Sequence, residues 1–139
     1  MMRYLFLTVI VFVTVKAQDF TKEEVEKIKL MHESCIKETS VDRAVVENAM
    51  KGIYADDSKL KDNIYCLNKK FGFQNEAGDI SPDTLTKHLI EKFPNEAMVT
   101  AAVKQCSQKK ATPTETGFEL VKCLHSFAPK DLDVTSFFN

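Results

Sequence analysis

The stretch that decides the fold is Ser58-Lys59-Leu60-Lys61-Asp62-Asn63-Ile64-Tyr65-Cys66-Leu67-Asn68-Lys69-Lys70-Phe71-Gly72. Leu60, Ile64, Leu67 and Phe71 fall at i, i+4, i+7 and i+11, a single apolar stripe of an amphipathic helix. The Asp57–Ser58 pair supplies the start signal, and Gly72 supplies the left-handed residue that ends many helices. Cys66 lies beside the stripe, so the helix carries a potential crosslink as well as a buried face.

Reading outward, the same punctuation recurs. Thr21 followed by Glu24 is a capping box, in which hydroxyl and carboxylate satisfy free amides of the first turn. Val25, Ile28, His32, Cys35 and Ile36 then repeat at helical spacing to about Thr39. A shorter helix after Ser40 turns Val45, Val46, Ala49 and Met50 inward and stops at Gly52. Beyond a loop over Phe73–Ile80, Ser81-Pro82 reads as cap and first-turn proline. The fourth helix carries Leu85, His88, Leu89 and Ile90 and ends at Phe93-Pro94. A fifth carries Met98, Ala101, Ala102, Gln105 and Cys106, with Lys109, Lys110 and Pro113 marking its end. The sixth runs from Thr114 to Phe127, with Phe118, Val121, Leu124 and Phe127 apolar and Gly117 weakening its first turn. No stretch sustains two-residue alternation, so the expected fold class is all-α, with six helices and no internal repeat.

Residues 1–17 read as a leader rather than as part of the fold. Arg3 precedes twelve almost wholly apolar residues, Tyr4–Val15, too few to span a bilayer. Small Val15 and Ala17 suit cleavage after Ala17, leaving one domain over 18–139. The leader removes Arg3 and Lys16 from the 19 basic residues, so 17 bases face 20 acids and the mature charge is −3. That balance makes nucleic acid an unexpected partner. There is no Asn-x-Ser/Thr sequon for N-glycosylation.

The four cysteines, Cys35, Cys66, Cys106 and Cys123, all follow the leader. An even count in a small exported chain indicates disulfides, which compensate for a modest core. Four cysteines allow three connectivities. Pairing within each half closes loops of roughly 30 and 17 residues, each contributing about 3–4 kcal/mol by chain entropy; spacing alone leaves the crossed pairings open.

The chain resembles the insect odorant-binding proteins, small secreted six-helix carriers of volatile hydrophobic molecules. The resemblance rests on Tyr65-Cys66-Leu67-Asn68-Lys69-Lys70-Phe71-Gly72-Phe73, on the glycine-containing loop after it, and on Phe118-Glu119-Leu120-Val121-Lys122-Cys123-Leu124. The usual pattern has six cysteines, with C-x3-C in helix three and C-x8-C near the last helix. Here Asp62 and Thr114 stand where two of them would be. Those positions pair with each other in the family, so one whole bridge is missing, as in the four-cysteine "minus-C" subgroup. The resemblance implies Cys35–Cys66 and Cys106–Cys123, and a stapled shell around a hydrophobic cavity.

Helical face and resemblance together place Leu60, Ile64, Leu67, Leu85, His88, Leu89, Met98, Ala102, Phe118 and Val121 on the wall of that cavity. Phe137, in the aromatic pair Phe137-Phe138 of the tail, would suit a lid, a frayed terminus being the alternative. His88, between Leu85 and Leu89, ranks first among the three histidines as a polar contact. Some relatives release ligand on acidification, in the range where histidine titrates. His32-x-x-Cys35 and Cys123-x-His125 could supply a Cys2His2 zinc set, but zinc needs thiolates and export favours disulfides, so no metal is expected. Loop 73–80 lacks the EF-hand order. With no G-x-S-x-G, P-loop or H-E-x-x-H, neither an enzyme nor a cofactor is expected. The expected partners are a small hydrophobic molecule and a membrane odorant receptor, for a secreted monomer or weak dimer without stable membrane insertion. The rival readings are a non-sensory haemolymph or gland carrier and a ligand-free interaction or storage protein.

Overall fold

The computed structural model describes residues 20–130. Within them the chain forms six α-helices: α1 Lys22–Thr39, α2 Arg43–Met50, α3 Ser58–Phe71, α4 Pro82–Lys92, α5 Glu96–Cys106 and α6 Pro113–Phe127. Residues 1–19, with the segment read as a leader, and the tail from 131 onward, with Phe137, lie outside the described residues. Among the described residues the extended pairing is limited to one isolated bridge, Gln74 to Ile80.

Local chemistry sets the boundaries. The Thr21–Glu24 capping box is complete: the Thr21 amide donates to Glu24 Oε2 at 2.8 Å and the Glu24 amide to Thr21 Oγ1 at 3.2 Å. The Asp57 carboxylate accepts from the Leu60 amide at the start of α3, and Gly72, at φ 80°, closes its end. Ser40 follows α1 in the left-handed region at φ 56°, and Asp42 caps α2 beyond it. One boundary differs from the sequence reading. Pro113, read as the stop of α5, is the first residue of α6; α5 has already ended at Cys106, and Thr112 caps α6 by accepting from the Glu115 amide. A proline with no amide to donate fits a first helical turn as well as it follows a last one. Pro82 opens α4 as expected, though the Ser81 side chain makes no capping bond.

Helix α3 packs against α1 and α6, while α5 packs against α4 and α6. The disulfides follow this scheme, Cys35–Cys66 joining α1 to α3 and Cys106–Cys123 joining α5 to α6, with Cα separations of 5.8 and 5.5 Å. The apolar interior divides into three clusters. Val41, Val46, Leu60 and Phe118 centre the first, between α2, α3 and α6. Leu85, Val99, Val103 and Leu120 centre the second, between α4, α5 and α6. Cys35, Cys66 and Leu67, with Met31 and Phe71 against them, form the third, between α1 and α3. On α5 the buried face is Val99, Ala102, Val103 and Cys106, whereas Ala101 and Gln105 are exposed.

The α3–α4 loop is locked onto the start of α6. Buried Gln74 accepts from Asn68 Nδ2 at 2.8 Å and donates to the carbonyls of Gly78 at 3.0 Å and Pro113 at 3.2 Å. Gly117, inside α6, leaves the room that Gln74 occupies; a Cβ there would collide with Gln74 Oε1. Its absence of side chain is therefore a packing requirement of this loop.

Candidate functional site

A cavity of about 1120 Å³ opens between these clusters. Helix α1 contributes Ile28, Met31 and His32, and α2 contributes Val46, Ala49 and Met50. Helix α3 supplies Asn63, Ile64 and Leu67; Phe71 and Phe73 follow at its end. His88 and Leu89 come from α4, and Val121 and His125 from α6. Such a mostly apolar wall with a few polar groups is the usual construction of a small-molecule site, and the volume lies slightly above the usual range of such pockets.

Of the residues expected on the wall, Ile64, Leu67, His88, Leu89 and Val121 line this cavity. Leu60, Leu85 and Phe118 lie instead in the packed clusters. Met98 and Ala102 border a separate void of about 40 Å³ between α4, α5 and α6. The division has a physical reason: periodicity identifies the inward face of a helix but not whether that face meets another helix or empty space. Residues outside the expected set include His32, Tyr54, Asn63, Phe71, Phe73 and His125. Asn63 carried a readable signal, because it falls three residues after Leu60 and four before Leu67, a polar side chain inside an apolar stripe. Tyr54, in the α2–α3 connection, carried none.

The three histidines occupy different settings on the same cavity. His88 is exposed and meets the Phe73 ring edge-on, with centroids 5.5 Å apart, while Phe73 stacks on Phe71 at 5.4 Å. His125 packs edge-on against Tyr54 at 5.8 Å, beside Gly52. His32 is the buried one. Burial brings its pKa down from 6.5 to about 4; the Arg43 guanidinium acts in the same direction and the Glu33 carboxylate against it. Burial also pushes the Tyr54 phenol up to about 12. Both groups are therefore neutral at ordinary pH.

Full charges line the periphery. Lys27, Lys51, Lys70 and Lys130 are exposed, and half-buried Lys92 donates to Glu24 Oε2 at 2.7 Å. That bond, followed by the Thr21 amide, holds the Glu24 carboxyl below its ordinary range. The pair ties the first turn of α1 to the last turn of α4. Among the described residues no group of three or more His, Cys, Asp or Glu side chains is arranged to hold a metal ion. Both disulfides are formed, so the zinc set envisaged from His32, Cys35, Cys123 and His125 has no thiolates. No helix among the described residues is long and apolar enough to cross a membrane.

Comparison with known proteins agrees with this architecture. The chain is 31% identical to the B1 protein of Tenebrio molitor over 110 residues, covering 79% of this chain and 85% of that one. It is similar in structure to odorant binding protein 7 of Anopheles gambiae, a four-disulfide protein solved with an azo compound. That match has a TM-score of 0.66 at 26% identity, covering 78% of this chain and 88% of the other. It is also similar to the fatty acid binding protein OBP56a from the oral disk of the blowfly Phormia regina, with a TM-score of 0.63 at 24% identity over 79% and 96% of the two chains. The family and the fold are those of binding proteins, and the disulfides fit an extracellular one. Residues 17–126 match the PBP/GOBP family, so this chain belongs to the insect odorant-binding proteins and has the four-cysteine complement of their minus-C subgroup.

Proposed function

We propose that this protein is a secreted carrier that takes up a small hydrophobic molecule, an odorant, pheromone or lipid-like compound, into the cavity between α1, α2, α3, α4 and α6. The observation that carries the reading is the cavity itself: about 1120 Å³, mainly apolar, with charges at its periphery. A storage or interaction protein with a filled interior would have no need of it. The mechanism is partition. Removing apolar ligand surface from water contributes about 25 cal/mol per Å², from which the cost of immobilising the ligand is subtracted. No chemical step is required.

Support for secretion comes from the leader over 1–17 and from two disulfides in so small a chain. The names of the Phormia and Anopheles proteins, a fatty acid binder and an odorant binder, support an apolar ligand class. The first experiment titrates the oxidised mature protein with N-phenyl-1-naphthylamine and displaces it with volatiles and fatty compounds. Saturable fluorescence with displacement is expected. Folded, lipid-free protein that binds no probe would overturn the carrier reading.

A further inference from the structure

Asn63 lies in the wall of the cavity and is fully buried, and neither its Oδ1 nor its Nδ2 has a hydrogen-bond partner. A buried amide left in this state costs on the order of 1–3 kcal/mol, whereas an apolar side chain at the same place would cost nothing of the kind. Neighbours on the same face of α3, Leu60, Ile64 and Leu67, are apolar. Of the two buried asparagines of α3, Asn68 is bonded to Gln74, whereas Asn63 is left unsatisfied by the protein's own groups.

We propose that Asn63 is the polar anchor of the ligand, and that it selects molecules whose apolar chain carries a neutral hydrogen-bonding oxygen, a hydroxyl or a carbonyl. The assignment rests on the carrier reading above and refines it. An amide offers both a donor and an acceptor, so it satisfies an alcohol in either direction and a ketone, aldehyde or ester through Nδ2. The buried part of the wall favours a neutral group. His32 and Tyr54 are uncharged there, while the lysines lining the cavity are exposed or, in Lys92, bound to Glu24. A carboxylate drawn in to Asn63 would lose its hydration without meeting a cation. A neutral oxygen meets its partner away from competing water, where a hydrogen bond discriminates most strongly.

The test uses displacement of N-phenyl-1-naphthylamine by decane, 1-decanol, 2-decanone and decanoate from the native protein and from Asn63→Leu. The native protein should prefer 1-decanol and 2-decanone over decane by about 3- to 10-fold, the range of one neutral hydrogen bond. Asn63→Leu should bind the probe and lose that preference. Asn63→Ala, which only removes atoms, gives the same comparison without the bulk of leucine. Preference retained in both variants would overturn the anchor while leaving the carrier intact. A preference for decanoate that disappears in the variants would overturn the neutral head group. Failure of the native protein to bind the probe would overturn the carrier reading and this one with it.

Discussion

At the scale of single residues, His32 shows how a buried group couples stability to acidity. Its pKa stands near 4 in the folded chain against 6.5 when solvated, so the unfolded chain binds the proton first as pH falls. Stability is therefore full above pH 6.5, declines through the window down to about 4, and is lower by roughly 3 kcal/mol at the bottom of it. Denaturant titrations across that window should show the slope, and His32→Leu should flatten it. Ion-pairing hydrogen bonds from Lys92, Lys61 and Lys109 hold the carboxyls of Glu24, Asp56 and Asp79 beneath their ordinary values of 4.5, 3.8 and 3.8, so the stability they contribute is present above those values and is lost as pH falls below them. An unchanged slope in His32→Leu would assign the acid sensitivity elsewhere. The histidine spacing places His32 on the apolar side of α1, but its depth depends on how α1 meets α3, which no single helix encodes. His88 also sits among apolar residues in sequence, Leu85, Leu89 and Ile90, and is exposed.

At the scale of elements, caps and stripes made the helices legible, because each is fixed by residues within one or two turns. Thr21, Asp57 and Gly72 act where their side chains or their lack of one predict. Pro113 was ambiguous for an equally local reason, since it is acceptable on either side of a helix boundary. Gly117 was opaque because its reason lies 43 positions away, in the carboxamide of Gln74. Gly117→Ala should displace that carboxamide and break its bonds with Asn68 and Pro113, at a cost of about 2–3 kcal/mol despite alanine's better helix propensity. Thermal denaturation measures it; a neutral or stabilising effect would mean the loop is not clamped. The same α3–α6 seam holds Lys61, which reaches Glu115 at 2.7 Å and Asp56 at 2.9 Å and lies over the Phe118 ring at 5.2 Å. Lys61 and Glu115 are the immediate neighbours of Asp62 and Thr114, where the resemblance places the family's absent bridge. An electrostatic clasp therefore stands beside the place of a covalent one.

At the scale of the whole molecule, the sequence specified the inward faces but not the empty space between them. A cavity is a property of how several helices fail to meet, so Leu60 and Ile64 share a stripe while only Ile64 reaches the void. Replacing Asp62 and Thr114 together by cysteine should add up to about 4 kcal/mol, the chain-entropy value for a loop of that length. It should also narrow the range of ligands that displace the probe, once peptide mapping has established the third bridge. Unchanged stability and unchanged range would mean that the seam is already rigid. The order of the two existing crosslinks has a further meaning. Cys35–Cys66 closes before Cys106–Cys123 opens, so the two covalent rings follow one another along the chain without interleaving. One backbone cut between 66 and 106 would leave two fragments with no bond between them, each keeping its own ring. For a cut in the loop between α3 and α4, the cavity, built from α1 to α3 on one side and from α4 and α6 on the other, is then a joint between two separable pieces, and two copies of the chain could trade halves without breaking a single sulfur–sulfur bond.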